Sequence, residues 1–518
     1  MIRASKVFTS VLTLPLLLLT ACNGDSVGTT DTATGTESDT DTTSTGGTTS
    51  GTTSGMTTMG STSMGTTTVS TSTASTTDTG TSSGTETTGV KPDCTAQDGQ
   101  PDQACDAATP FCVAGKCVDC SAANNESACE TLNADTPVCT DAGACVQCTA
   151  SDAAACGGVT PICDEATSSC VGCTEHAQCG GEVACNLGDG SCFAIDYVLY
   201  VDKAAADCAA GTGAIDTPFC TLAEAFTKIA EPDNLPAAWT VHIKAGTYTE
   251  PEHKTPDSSV IALLADGPVI LRSSMDGAAG LTTGNASTLF LQGTLFSLAS
   301  GDGLKCSAAT LWADDIQSKT NNLLGLETID CTTHVRRALI SGNKEGGVAS
   351  IGNGITHIES SYVTANGTAI SEFGGIRSAQ GNELHVLYSS VINNDGDQVA
   401  SLQCIDAMPA DVRNSVLIGR TNMPSVDCMT GMISHSLVDG GDMQGDGNMI
   451  GMAADLKTWF ENPIGGIFRV KPLVNDMPSP IAEVAMWMTG DPALDYDGNP
   501  RPATDATPDF PGADVPAP

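Results

Sequence analysis

Between Thr356 and Gly441 one short phrase recurs four times, and it limits the folds open to this chain more than any other feature. It reads His357-Ile-Glu-Ser-Ser361-Tyr-Val, Val386-Leu-Tyr-Ser-Ser390-Val-Ile, Asp411-Val-Arg-Asn-Ser415-Val-Leu and Met432-Ile-Ser-His-Ser436-Leu-Val. Each phrase sets an aliphatic residue three before a serine (Ile358, Leu387, Val412, Ile433) and two apolar residues after it. A Gly or Asn turn closes each one. The serines step by 29, 25 and 21 residues. One β-rich phrase every 20–30 residues or so marks a solenoid. A single repeat cannot bury its apolar side alone, so the repeats must stack.

Stacking would also align the residues two before each serine: Glu359, Tyr388, Arg413 and Ser434. An acid, an aromatic and an arginine in file form a candidate sugar-binding row; the competing reading is an ordinary polar outer face. After the last phrase comes Asp439-Gly-Gly-Asp442-Met-Gln-Gly-Asp446-Gly-Asn448. Closely spaced Asp and Asn oxygens with glycines can wrap Ca²⁺. The same residues are the default turn formers, and the spacing is not that of an EF-hand. Apart from this candidate Ca²⁺, no cofactor is expected.

The chain of 518 residues is long enough for two or three domains, and its composition divides it. Arg3 and Lys6 precede an apolar run, 7–19, too short to span a bilayer. Residues 1–21 therefore read as a signal peptide. The run ends in Leu19-Thr-Ala-Cys22, which resembles a bacterial lipobox. That resemblance implies cleavage before Cys22 and acylation of its sulfur; the alternative is an ordinary signal peptide cleaved near Ala21. Asn23 rather than Asp follows, so the inner-membrane retention signal of enteric bacteria is missing. The expectation is a protein lipid-anchored in the outer membrane and displayed at the cell surface.

Residues 22–92 are almost wholly Ser, Thr, Gly and scattered acids, a composition that cannot offset its ordering entropy and is expected to be a disordered tether. As a flexible coil it would reach roughly 40–50 Å. The net charge of −40 argues against nucleic-acid binding, which needs a basic surface. Partners expected instead are the membrane, through the anchor, and an extracellular glycan or surface protein; the protein itself is expected to be a monomer.

Between Cys94 and Cys192, within an expected region 93–194, sixteen of the 23 cysteines fall into four sets of four. The first cysteines of the sets, Cys94, Cys120, Cys148 and Cys173, step by 26, 28 and 25 residues. Modules this small need covalent staples. Cys-x-x-Cys is also a zinc spacing, but here it straddles module boundaries, the count is even and the chain carries an export signal, all of which favour disulfides. Four cysteines allow three connectivities, and the sequence does not choose among them. These modules resemble repeats of large secreted and lipid-anchored myxobacterial proteins, and a semi-rigid stalk is the expected role.

From 195 to 518 the chain reads as alternating apolar strands. Tyr197-Val-Leu-Tyr-Val-Asp202 is followed by Thr221 and a helical stretch, Leu222-Ala-Glu-Ala-Phe-Thr-Lys-Ile-Ala230, in which Thr221 and Glu224 have capping-box spacing. Val241-x-Ile-x-x-Gly-Thr-Tyr248 comes next. This order resembles the N-terminal cap of right-handed parallel β-helix proteins of the pectin-lyase-like class. Phe468-Arg-Val-Lys-Pro472, Asp497-Gly-Asn-Pro-Arg-Pro502 and Gly512-Ala-Asp514 follow the order of that family's C-terminal signature. The fold class expected is therefore all-β: a right-handed parallel β-helix with an N-terminal helical cap, behind a small disulfide-rich region and a disordered linker. Cys306 and Cys331 lie 25 apart, and Cys404 and Cys428 lie 24 apart, each about one coil. Neighbouring coils about 4.8 Å apart suit the Cα separation of a disulfide, so both pairs are expected to staple adjacent coils. Cys208 and Cys220 are expected to bridge a loop of the cap.

Family members of known activity mostly cleave acidic polysaccharides, using calcium with a basic residue or clustered aspartates with a Gly-His-Gly phrase. Neither motif occurs here. Asp314-Asp315 is a carboxylate pair whose members should point to opposite faces. His334, Arg336 and Arg337 form the densest basic spot and read as a solvated turn. The leading expectation is a non-catalytic surface protein for adhesion or glycan binding. The alternatives are a polysaccharide lyase or glycoside hydrolase, and a structural spacer.

Overall fold

The computed structural model describes residues 93–516, apart from 124–126, 236, 421–422, 430, 441–444 and 464–466. The expected signal peptide, Cys22, the expected tether and Asp442 lie outside the described residues. From Ala238–Glu250 to Leu437–Val438 the chain winds through about nine coils of a parallel β-helix. A mature coil has three short strands, for example Leu324–Ile329, Thr332–Arg336 and Leu339–Ser341. The first of each triplet stacks into a seven-stranded sheet. All these ladders are parallel.

Alternation within each strand decides what points inward. Leu326, Val335, Ile340, Val348, Ile358 and Val363 are all buried in one continuous core. Each such side chain contributes about 1.5–3 kcal/mol through burial. The aliphatic row runs Ala313–Val335–Ile358–Val386–Val412–Ile433, one residue per coil.

That row corrects the register of the second phrase by one residue. Val386, not Leu387, is the inward partner of Ile358, and Ser389, not Ser390, is the partner of Ser361. The bend before each serine explains the slip. Ser360, Tyr388, Asn414 and His435 all adopt left-handed backbone, with φ between 45° and 55°. Such a corner costs an L-residue about 1–2 kcal/mol. The ladder offsets it, since each corner N–H finds a carbonyl on the next coil, as Tyr388 does with Arg413. The serine that follows takes up the next backbone N–H: Ser361 N donates to Ser389 Oγ, Ser389 N to Ser415 Oγ, and Ser415 N to Ser436 Oγ. At a second corner four buried asparagines, Asn321, Asn343, Asn366 and Asn394, pass amide bonds of 2.9–3.1 Å along the axis.

The helix Leu222–Ile229 plugs the first coil with Leu222, Ala225, Phe226 and Ile229. Thr221 and Glu224 form the capping box, and the buried Glu250 carboxylate accepts from Leu222 N and Ala223 N at 2.9 and 3.0 Å. Sulfur bridges join Cys306 to Cys331, Cys404 to Cys428 and Cys208 to Cys220. In each small module the first cysteine binds the third and the second binds the fourth. The connectivity left open by spacing is thus settled, and no bridge crosses a module boundary.

Two segments press on the flank of the solenoid. The fourth module seats Val183, Ala184 and Phe193 on Ala262, Leu264 and Phe290. The C-terminal segment does more than close the last coil. Trp459, Phe460, Phe468 and Ile481 cover Tyr362, Ile392, Val416 and Leu437. Farther along, Ala513 N donates to Ser390 Oγ and Ser360 Oγ donates to Leu494 O.

Candidate functional site

On the outer face of the seven-stranded sheet one row runs Lys305–Glu327–Ala349–Arg377–Gln403–Asp427. Every member has a long or polar side chain except Ala349, which leaves a gap of one side chain between Glu327 and Arg377. Beside the gap the connection from Asn366 to the strand Ile376–Ala379 is longer than the connection from Asn343 to Gly346–Ile351. It rises as a wall of Thr368, Ile370, Ser371, Glu372 and Phe373. The result is a groove of about 600 Å³ that Asn322, Lys344 and Glu345 also line. Gly346 lets the wall close in, because a Cβ there would meet the Phe373 ring at 2.7 Å.

The charged groups of the groove are already oriented. Arg377 donates to Glu372 at 2.6 Å, with its guanidinium 5.6 Å from the centre of the Phe373 ring. Glu327 pairs with Lys305, and Lys344 donates to Asn322 Oδ1 at 2.5 Å. Asp302, buried beside Leu324, accepts from Leu324 N at 2.9 Å. Burial, reinforced by the fields of Glu327 and Glu345, raises its pKa to about 6. The arrangement offers fixed donors and acceptors for hydroxyl groups over a small apolar floor; Asp302 is bonded to Leu324 N beside the groove and does not itself line it.

The expected row of Glu359, Tyr388 and Arg413 is only partly assembled. Glu359 and Arg413 share a file, but the residue between them is Leu387. Tyr388 sits at the corner, fully buried beside Trp487, with the Arg501 guanidinium 3.9 Å from its ring centre. It belongs to the seam with the C-terminal segment and not to the outer face. Arg413 is committed to the buried Asp491 at 2.7 Å. Glu359 makes no side-chain hydrogen bond or ion pair with a described residue, and burial raises its pKa.

At the proposed calcium loop, the Asn448 amide is engaged by its neighbours. Its Oδ1 accepts from Ser436 N at 3.0 Å, and its Nδ2 donates to Ile433 O at 2.6 Å. Asn448 thereby continues the serine file. Asp439 accepts from Ser425 Oγ at 3.3 Å, and Asp446 is exposed. All sixteen module cysteines are spent in disulfides, so they hold no thiolate for zinc.

The basic spot at 334–337 is no solvated turn. Arg336 and Arg337 both pair with Asp314, which is 1% exposed, and Arg337 also reaches Glu175 of the fourth module at 2.9 Å. His334 belongs to a column that sequence reasoning missed. Trp312, His334, His357 and His385 stack in register, with ring centres 3.8, 4.7 and 4.5 Å apart and planes within 7°. His357 lies four residues before Ser361 and His385 four before Ser389. The one-residue slip in the second phrase hid that recurrence.

A model of a family of unknown function, DUF8331, matches residues 81–198, the stretch that carries the cysteine modules. Among solved structures, pectate lyase Pel9A aligns with 62% of this chain and 96% of its own, at 13% identity and a TM-score of 0.42. A rhamnogalacturonan lyase aligns with 51% of this chain and 90% of its own, at 14% identity and a TM-score of 0.35. No curated protein matches. These likenesses concern the fold alone. The class that the chain's own ladders define is a parallel β-helix with a helical plug, preceded by disulfide-rich repeats.

Proposed function

We propose that this protein is a cell-surface glycan-binding module, held to the outer membrane through Cys22, with the groove over Ala349 as its sugar site. One observation carries the reading: a single small residue interrupts a row of long polar side chains, and the ion pairs on either side are already made. Carboxylates tied to cations bind hydroxyls well and serve poorly as free bases. Pre-oriented donors also lose little entropy on binding.

A second reading, a polysaccharide lyase or hydrolase, draws on Asp302, whose raised pKa suits a proton donor near the groove. The two readings separate in one experiment. Acidic and neutral polysaccharides are offered to the full chain on an array and, in parallel, incubated with it while absorbance of unsaturated uronides and new reducing ends are followed. Binding without turnover, weakened about tenfold or more by Ala349→Arg, is the expected result. Turnover abolished by Asp302→Asn would establish the enzyme instead. Binding that ignores Ala349→Arg would move the sugar off this groove.

A further inference from the structure

The C-terminal segment does not close flush against the solenoid. Beside Tyr362, between the hairpin of Phe460–Asn462 with Ile467–Val470 and the turn from Asp495 to Asn499, a cavity of about 350 Å³ remains. It shares no lining residue with the groove over Ala349. Three aromatic rings border it. Tyr496 meets Tyr362 edge to face, with ring centres 4.9 Å apart and planes at 71°, and the Phe468 ring lies 6.3 Å from Tyr362. Rings set at so steep an angle make a corner, not the flat platform on which a sugar stacks.

The charges around that corner are unbalanced. Glu461, Asp497 and Asp514 line the cavity against a single cation, Arg469. Arg469 donates to Asp497, and its Nε stands 3.7 Å from Asp514, beyond hydrogen-bond length. Asp514 is 3% exposed, yet no N–H or hydroxyl among the described residues donates to its carboxyl. Its hydrogen-bonding partner is Asp495, and two carboxyls can touch only through a shared proton. Asp495 is otherwise saturated, accepting from Asn499 N, Asn499 Nδ2 and Val515 N at 2.7, 3.0 and 3.1 Å. The cavity thus holds a buried acid that lacks a cation of its own.

We propose that this cavity binds a small organic ammonium ion, with its carbon atoms against Tyr496 and Tyr362 and its charge on Asp514. Aromatic faces attract such cations most strongly where water is excluded, and a desolvated carboxylate needs a partner of opposite sign. Around Asp514 stand Asp495, Asp497 and Tyr496 of its own segment, Glu461 and Arg469 of the hairpin, and Tyr362 of the solenoid. Burial, reinforced by Asp495 and Asp497, raises the Asp514 pKa to about 8. The bound cation ionises Asp514, whose proton passes to solvent. Affinity therefore rises with pH up to about 8 and levels off above it.

Choline chloride, tetramethylammonium chloride and a lysine amide acetylated at its α-nitrogen are titrated by calorimetry into the full chain between pH 6 and pH 9, in buffers of differing ionisation enthalpy. NaCl and CaCl₂ serve as controls. The expected result is one site per chain, proton release at pH 7, and affinity about tenfold or more tighter at pH 8 than at pH 6. Tighter binding of the methylated ions points to a choline-type ligand, and of the primary amine to a lysine side chain. Asp514→Asn and Tyr496→Leu each weaken binding by about tenfold or more. The pH profile of the parent chain tests the site even if a variant fails to fold. The proposal is overturned if no ammonium ion binds at pH 8, if CaCl₂ gives the same response, or if affinity ignores pH. Affinity unaltered in a folded Asp514→Asn overturns it as well. None of these outcomes touches the glycan groove, whose own test is the response to Ala349→Arg.

Discussion

His334 is held without a proton. Burial, and the neighbouring His357, lower its pKa from 6.5 to about 4. As pH falls through 6.5 the unfolded chain takes up a proton at this side chain, while the folded column does not until about pH 4. Stability fully present above pH 6.5 is therefore lost progressively between 6.5 and 4. Asp302 works the other way over much of the same window, because its folded pKa of about 6 lies above the ordinary 3.8, and its contribution grows on acidification. The histidine effect is isolated by difference. Between pH 7 and pH 4.5, His334→Gln should lose less melting temperature than the parent protein, and equal losses would place the acid sensitivity elsewhere.

At the scale of the coil, the corner serine is the element that makes stacking specific. Ser415 Oγ accepts from Ser389 N at 3.1 Å and donates to Arg413 O at 2.8 Å. Ser415→Ala would leave a buried N–H unpaired, at a cost of about 1–3 kcal/mol. The lowered urea midpoint should come without a change in slope; unchanged stability would mean the file is ornamental. The same corner shows what could be read from the residues alone. Aliphatic alternation and the recurring serine were enough for the solenoid; the capping-box helix and its likeness to a β-helix cap gave the plug, and cysteine spacings of about one coil gave the bridges. Alternation and serine were not enough for register where Ser389 and Ser390 adjoin, because either serine satisfies the pattern. Only the left-handed bend at Tyr388 decides between them, and a bulky aromatic is an unusual residue to find there. That slip placed Tyr388 outside and concealed the histidines. The groove was illegible for another reason: it depends on an absent side chain at Ala349 and on a loop length, neither of which forms a motif.

For the molecule as a whole, the four cysteine modules are not equivalent. The fourth buries Phe290 and supplies Glu175 to Arg337, so the solenoid relies on it. Deleting residues 93–172 should leave the melting temperature nearly unchanged. Extending the deletion to 193 bares Ala262, Leu264 and Phe290 and should lower it by roughly 5 °C or more. Equal melting curves for the two deletions would show that the docking is not energetically coupled to the core.

The C-terminal segment bears on how such a chain is made. Coils can stack one after another as they emerge from a ribosome or a translocation channel, since each needs only its predecessor. The flank at Tyr388 and Ser390 cannot close that way, because its cover, Trp487, Arg501 and Ala513, is synthesised about a hundred residues later. Until then a tyrosine destined for full burial stays in water and marks the chain as unfinished. A protein broken off before Arg501 keeps that mark, so packing itself tells a finished copy from a short one.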